Sequence, residues 1–598
     1  MKFCFKCGQQ LKGNEKFCPK CGQKLNLPQQ AEPTKIEPAQ TASVQVEPAQ
    51  IAPAQTASTQ TRSEQDVPAQ EHRKQKRNCS RHGIIFTDLN ALSSFMRCNH
   101  DDLRNLFEKY AEFMALSDID YTLVDVSDYK FRSKGAGRRG EKPSFNENSP
   151  WWDYQHVLYD VMCYEKENNL PESNYLFIIG GHEIIPVPVI NHYIPPRNDH
   201  DDRDIETDLL YCYPYGPKTQ YSLENGELFT QEMYFFAGRL PIPEGADAEY
   251  LRNYLQNAVN CRDGLPVKKI YSQTDPHWKE LTAWIMEPYN KAGMLPDRSH
   301  ISGKYSYGNV MLGPDVTSRD IHSVMDKDTD LIFLNLHGSN DPDTGFYLGE
   351  YPQHSCKYAA IFPVEAMLIP EGYNVFVSEA CYGGRFVGYD MTHSMVQAGL
   401  SNKTIIAVAS SRVAYGGATP PGGNADTLCG MFVAYLLSGY SSGEAFVLAK
   451  AAFFNEDGML SPHQAATIAE FNLYGDPSLH AIGVAEDGSK VAAVSKRIAP
   501  EDFPVGYEME TVKGATGQQS LLDTIRGAVD KNLMDISRNI GKALYEQYGL
   551  PPREPQTIRR MKYRNGKQRL VYTYDNNGSS WVVTSTPEGN IESVMTSK

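Results

Sequence analysis

No stretch of this 598-residue chain reaches the roughly 18 consecutive apolar residues that a membrane helix needs, so membrane-spanning functions are set aside. The opening Met1-Lys-Phe-Cys-Phe-Lys-Cys7 lacks the apolar core of a secretory leader. Net positive charge is also missing. A formal charge of -15 disfavours nonspecific binding of nucleic acid by the whole molecule, although local basic patches stay open to it. A disulfide framework is absent as well. Of the 12 cysteines, four fall in a metal-type pattern, and Cys79, Cys98, Cys163, Cys212, Cys261, Cys356, Cys381 and Cys429 are scattered. Reduced thiols fit that spacing better than an oxidising compartment. These absences together read as a soluble, non-secreted, cytoplasmic protein with no membrane partner.

The chain does have enough apolar material for several cores. Its hydrophobic fraction of 41% is ordinary for globular proteins, and at about 100 to 200 residues per domain its length implies more than one. Cys4-Phe-Lys-Cys7 and Cys18-Pro-Lys-Cys21 form two CxxC knuckles. Four thiolates so placed can surround one Zn2+ tetrahedrally, and residues 1–25 have too little core to fold without it. With every ligand a cysteine the zinc would be structural, and such a ribbon would recruit a protein or nucleic-acid partner. Residues 26–82 change to Pro, Gln, Ala, Thr and Ser, with Glu37-Pro-Ala-Gln40 nearly repeated as Glu47-Pro-Ala-Gln50. That composition predicts a disordered tether. The basic run His72-Arg-Lys-Gln-Lys-Arg77 reads as a solvated segment, with nucleic-acid contact or a self-cleavage site as alternatives.

From residue 83 helical and strand patterns alternate, which predicts an α/β fold with a mainly parallel sheet in two subdomains, 83–265 and 266–485. Asp101 to Leu116 and Trp151 to Glu167 have helical spacing. Tyr121–Val126, Tyr175–Ile179, Leu331–Leu336, Tyr373–Ala380, Thr404–Ala409 and Phe471–Tyr474 read as strands. Gly430 to Gly439 and Gly443 to Phe454 read as helices, which makes Cys429 a core residue. His182-Glu183 does not continue into HExxH, because Pro186 stands at the second ligand position. The acidic run Asp199-His-Asp-Asp-Arg-Asp204 is open to two readings, a Ca2+ site or a solvated loop. Residues 486–598 predict a long helix from Ser520 to Tyr548 followed by a three-stranded antiparallel meander.

Two of the strands stop at reactive residues. Leu331–Leu336 ends at His337-Gly338, and Tyr373–Ala380 ends at Cys381-Tyr382-Gly383-Gly384. In an α/β sheet such ends face ligands, and a thiol becomes a useful nucleophile when an imidazole can take its proton. Cys381 is therefore the candidate nucleophile and His337 its base. Glu379, two residues upstream on the same strand, alternates onto the Cys381 face.

An apolar strand closed by His-Gly, followed by one closed by Ala-Cys, resembles the dyad of caspase-like (clan CD) cysteine peptidases. Thr207-Asp-Leu-Leu-Tyr211, Ala237-Gly-Arg-Leu-Pro241 and Phe471-Asn-Leu-Tyr-Gly-Asp-Pro-Ser-Leu479 narrow the resemblance to the gingipain-like C25 family, over residues 84 to 485. The resemblance implies a caspase/gingipain-like α/β sandwich and cysteine endopeptidase activity on protein or peptide substrates. It also implies an oxyanion hole from the N–H groups of Gly338 and Cys381. Glu379 matches the position of an S1 carboxylate in metacaspase and clostripain-like relatives, which implies cleavage after Arg or Lys. Tyr415 stands where gingipain relatives carry an aromatic lid over the P1 side chain. Gingipains proper are secreted, which this sequence does not suggest. The alternative is a caspase-like adaptor without proteolysis, recruited through its zinc ribbon. Asp476 reads as the residue that fixes the Gly-Asp-Pro turn.

Overall fold

The computed structural model describes residues 79–491 except 147–148, 192–203, 214–232, 302, 304, 314–315, 317–319, 340–346, 351–357, 362–365, 421, 452 and 454–461. It also describes 2–3, 10–11, 507–513, 536, 539–545, 555, 557–563, 568–576 and 579–597. In the first compact unit, Met1–Gln75, the described residues form one antiparallel pair, Lys2–Phe3 with Gln10–Leu11. The cysteines Cys4, Cys7, Cys18 and Cys21 and nearly all of the expected tether lie outside the described residues, as does the 199–203 part of the acidic run. Asp204 is described in the strand Asp204–Glu206, where its carboxylate accepts from Asn191 Nδ2 at 3.1 Å.

The second unit, Lys76–Lys598, is built on one eleven-stranded sheet. In chain order its strands are β1 Arg81–Thr87, β2 Ile119–Asp125, β3 Tyr175–Ile179, β4 Phe236–Leu240, β5 Ile270–Thr274 and β6 Ser306–Tyr307. They continue with β7 Val310–Leu312, β8 Leu331–Asn335, β9 Asn374–Ser378 and β10 Thr404–Ser410. After a short strand outside this sheet, β11 Tyr415–Gly417, comes β12 Phe471–Gly475. Across the sheet the order is β6-β7-β5-β8-β9-β10-β12-β4-β3-β1-β2. Every residue of β3, β5, β8, β9, β10 and β12 is buried, as expected of parallel strands covered on both faces by helices.

The predicted α/β alternation is therefore present, but both subdomains share a single sheet. β7, β5, β8, β9 and β10 run parallel to one another, and so do β4, β3, β1 and β2. β12 is antiparallel to β10 and parallel to β4, so the two halves point in opposite directions. The carboxyl ends of β5, β8 and β9 consequently share one rim, opposite the rim formed by the first-half strands. Helix starts follow the capping residues: Asn99 caps His100–Met114 and Asp247 caps Ala248–Asn260 through their side-chain oxygens. Cys429 is fully buried in the helix Ala425–Leu437, as expected. No helix among the described residues is long and apolar enough to cross a membrane.

Three of the sequence motifs meet in the core. Arg239 on β4 is fully buried and grips the Asp208 carboxylate at 2.8 and 2.6 Å, while its Nη1 donates to the carbonyls of Gly180 and Ile185. The Asp208 N–H donates in turn to Asn472 Oδ1 on β12 at 2.9 Å. Four residues on, buried Asp476 accepts from Tyr121 Oη and Tyr110 Oη and from the Ser478 N–H, which confirms a structural task.

The C-terminal residues form an antiparallel sheet of β13 Tyr507–Lys513, β14 Thr557–Tyr563, β15 Gln568–Asn576, β16 Ser579–Ser585 and β17 Ile591–Ser597. This is two strands more than the expected meander. β11 joins as a sixth member beside β17. Of the helix expected over 520–548, residues 536 and 539–545 are described, and they are helical.

Replacing Arg239 by Ala strands a buried carboxylate, which typically costs about 3–5 kcal/mol. Chemical denaturation should show that loss. The double variant Arg239→Met/Asp208→Leu should be less destabilised than either single change.

Candidate active site

The registers of three adjacent parallel strands bring the strand ends that carry Asp275, His337 and Cys381 to one rim. Thr274 of β5 pairs with Asn335 of β8, and Leu334 of β8 pairs with Ser378 of β9. Asp275, His337 and Cys381 come one, two and three residues after Thr274, Asn335 and Ser378, at the carboxyl rim of the second half-sheet. The strand ends are pinned to one another. The Asp275 N–H donates to the Asn335 carbonyl at 2.9 Å, and the Glu379 N–H donates to the Leu334 carbonyl at 2.9 Å. Asn335 Nδ2 donates to Thr282 Oγ1, which donates to Thr274 Oγ1.

The His-Gly and Ala-Cys turns touch through their backbones. A Cβ built on Gly338 would overlap the carbonyl oxygen of Cys381 and stand 3.0 Å from its nitrogen. Only a residue without a side chain allows this approach. His337-Gly338 is also paired antiparallel with Tyr347–Glu350, which fixes the turn from its other side.

The Cys381 turn is locked from the direction of β10. Tyr382 adopts a left-handed conformation with φ 56°, unusual for a residue with a side chain and costly unless its surroundings impose it. Its N–H donates to the Arg412 carbonyl at 2.8 Å, and the Gly384 N–H donates to the Ser410 carbonyl at 2.7 Å. Cys381 is 4% exposed. Its sulfur accepts the Ala414 N–H at 3.3 Å and lies 3.6 Å from the Ala414 carbonyl oxygen. The thiol therefore faces the segment between β10 and β11.

His337 is enclosed on two sides. Its Nε2 faces Asp275 Oδ2 at 4.0 Å, and the Trp278 ring packs on the imidazole with centroids 4.7 Å apart. Asp275 is fully buried, and its Oδ1 accepts the His277 N–H at 2.9 Å and lies 2.7 Å from His277 Nδ1. Asp275 was missed by the sequence reading. Its only signal is its place at the end of Ile270–Thr274, a strand of mixed polar and apolar residues that the periodicity did not single out.

Glu379 is fully buried between Ser378 and Ala380. Tyr415 is buried too, with its ring edge-on to His463 at 4.7 Å and its backbone opposite Ser597 of β17. The aromatic ring expected over a P1 side chain is thus engaged within the fold. Among the described residues no cluster of His, Cys, Asp and Glu could hold a metal ion.

The contact between the two turns can be probed directly. Gly338→Ala forces them apart, with an overpacking cost of about 1–3 kcal/mol. A lowered thermal midpoint should accompany loss of hydrolytic activity. A Gly338→Ala protein with both properties intact would show that the turns do not meet.

Comparison with known proteins places the chain. The model of peptidase family C25 matches residues 96–482, well over half of its length. No curated protein matches it. Among solved structures it is similar to one titled "Structure of Protease", with TM-score 0.40 and 10% identity over 86% of this chain and 96% of that one. It is also similar to the Arg-specific cysteine proteinase gingipain R, with TM-score 0.41 and 11% identity over 87% and 98%. The family match spans both halves of the sheet and the rim where Asp275, His337 and Cys381 lie, and the chain belongs to peptidase family C25, the cysteine-type peptidases.

Proposed function

We propose that this peptidase is an endopeptidase that works through Cys381 and His337 and cleaves after Arg or Lys. The observation that carries the reading is the side-by-side packing of Gly338 on the Cys381 backbone, which supports a shared cleft for imidazole and thiol. The thiol proton passes to His337, and the sulfur attacks the scissile carbonyl. With Nε2 facing Asp275, the shuttle falls to Nδ1, and Asp275 acts as a positioning residue that holds the ring and steadies its cation. The N–H groups of Gly338 and Cys381 stabilise the oxyanion, a contribution worth about a hundredfold or more per donor. His337 then returns the proton to the leaving amine, and water hydrolyses the thioester by the reverse sequence.

Glu379 supplies the preference for a basic P1 residue. A buried carboxylate rewards a cation that can reach it and penalises an apolar side chain that leaves it unpaired. Four thiolates, Cys4, Cys7, Cys18 and Cys21, hold a structural zinc ion. The strand pair Lys2–Phe3 with Gln10–Leu11 supports this, since its connection carries Cys4 and Cys7 as a zinc knuckle requires. The substrates are cytoplasmic proteins, and the ribbon recruits a protein or nucleic-acid partner.

An arginyl chloromethyl ketone should label the wild-type chain and fail to label Cys381→Ala. Equal labelling of both would remove Cys381 from the mechanism. Glu379→Gln should lower kcat/KM for Arg and Lys peptides by about thirtyfold or more, as expected when a buried charge pair loses one partner.

Elemental analysis should find about one zinc per purified chain. The Cys4→Ser/Cys7→Ser variant should lose the zinc while still hydrolysing small peptides. A hydrolysis rate that falls in step with zinc content would contradict a purely structural ion.

A further inference from the structure

β11 is only three residues long, and it begins at the residue after Ala414, whose N–H reaches the Cys381 sulfur at 3.3 Å. Any strand laid along β11 therefore runs past the thiol. β17 already lies there. Met595 pairs with Gly417, Thr596 with Gly416 and Ser597 with Tyr415, in antiparallel register. The strand thus advances, from its amino to its carboxyl side, toward Ala414 and Cys381. A substrate must enter with the same polarity, because its acyl half has to bring its last carbonyl to the sulfur.

The other side of β11 is closed. Gly416 is bridged there by Asn424, and the Gly417 N–H donates to Asp426 Oδ2 at 2.5 Å. β11 thus offers one edge to an incoming peptide, and β17 occupies it. The occupant is anchored from behind by β16, with which it pairs from Trp581 opposite Thr596 to Ser585 opposite Ile591. Ala418, next after β11, packs into the C-terminal core with Ile558, Leu570 and Tyr572. In sequence Ser597 is followed by Lys598, a residue of the class that Glu379 would select.

Extended peptides commonly bind by adding a strand to an open sheet edge, through backbone hydrogen bonds that any sequence can make. We propose that β17 is a built-in competitor for that edge, a self-inhibitory strand that must leave β11 before a protein substrate can reach Cys381. The three-residue pairing is short enough to be displaced while β13 to β16 stay folded. This inference rests on Cys381 being the nucleophile of the proposed endopeptidase.

The test severs the strand in the folded full-length chain. A cleavage site for a protease of unrelated specificity, inserted between the exposed Pro587 and Glu588, leaves the protein intact until it is cut. Two rates are then followed: hydrolysis of an Arg or Lys peptide anilide, and alkylation of Cys381 by iodoacetamide, read by mass spectrometry. Cutting should raise both about tenfold or more, and adding a synthetic peptide of residues 591–597 should reverse the gain, as expected of strand addition. A chain ending at Asn590, checked by circular dichroism for retained folding, should match the cut protein. Hydrolysis and alkylation that are the same before and after cutting, and in the shortened chain, would overturn the inhibitory strand and leave the peptidase reading intact. Faster alkylation with no hydrolysis of any peptide would uphold occlusion by β17 and overturn the nucleophile assignment.

Discussion

Gly338 rests on the backbone of Cys381, and the chemistry proposed for this protein depends on that contact. Two buried parallel strands, β8 and β9, bring the turns to the same height, and a residue with no Cβ lets them close. Around this contact the site is braced from three directions. Asp275 and Trp278 bear on the imidazole, Ala414 bears on the sulfur, and the Arg412 carbonyl holds Tyr382 in its left-handed turn. The bracing comes mostly from strand ends and backbone groups. Such elements hold a constellation more tightly than long side chains on loops can.

The motifs on which the resemblance rests divide into two kinds. His337-Gly338 and Ala380-Cys381 face the rim where a substrate would react. Asp208, Arg239, Asn472 and Asp476 lie in the interior and join the two halves of the sheet. β12 is the seam, because it pairs with β10 on one side and β4 on the other. A fully buried guanidinium is tolerable there because Asp208 and two carbonyls take up its donors. Among the described residues, the first half of the chain meets the surroundings of the proposed site through Glu206, whose carbonyl accepts from Ser411 Oγ and whose carboxylate pairs with Arg412. It also extends the sheet whose other end carries the proposed site.

Much of the fold was legible in the sequence. Tyr175–Ile179 and the helix Trp151–Glu167 appear with the expected bounds, and β8, β9, β10 and β12 differ from expectation by a residue or two at their ends. Elements with mixed signals escaped. The helix Lys279–Lys291 contains Pro288, and β5 carries Ser272, Gln273 and Thr274 at buried positions, so neither displays a clean period. Asp275 was hidden for the same reason. The extra strands Tyr507–Lys513 and Ile591–Ser597 have polar and apolar residues interspersed, and antiparallel neighbours make them strands.

Sequence alone determined the class of the fold, six of the eleven strands of its large sheet and Cys381 and His337 as the residues to watch. These rest on local apolar runs and on reactive residues placed where such runs stop. Only the tertiary structure decided which residues stand beside them. Asp275 reaches His337 through the register of β5 on β8, and β17 reaches the Cys381 neighbourhood through a pairing with β11 across some 180 residues of chain. Neither leaves a local trace, because strand pairing is set by backbone geometry and by which edges remain open once the rest of the sheet has formed.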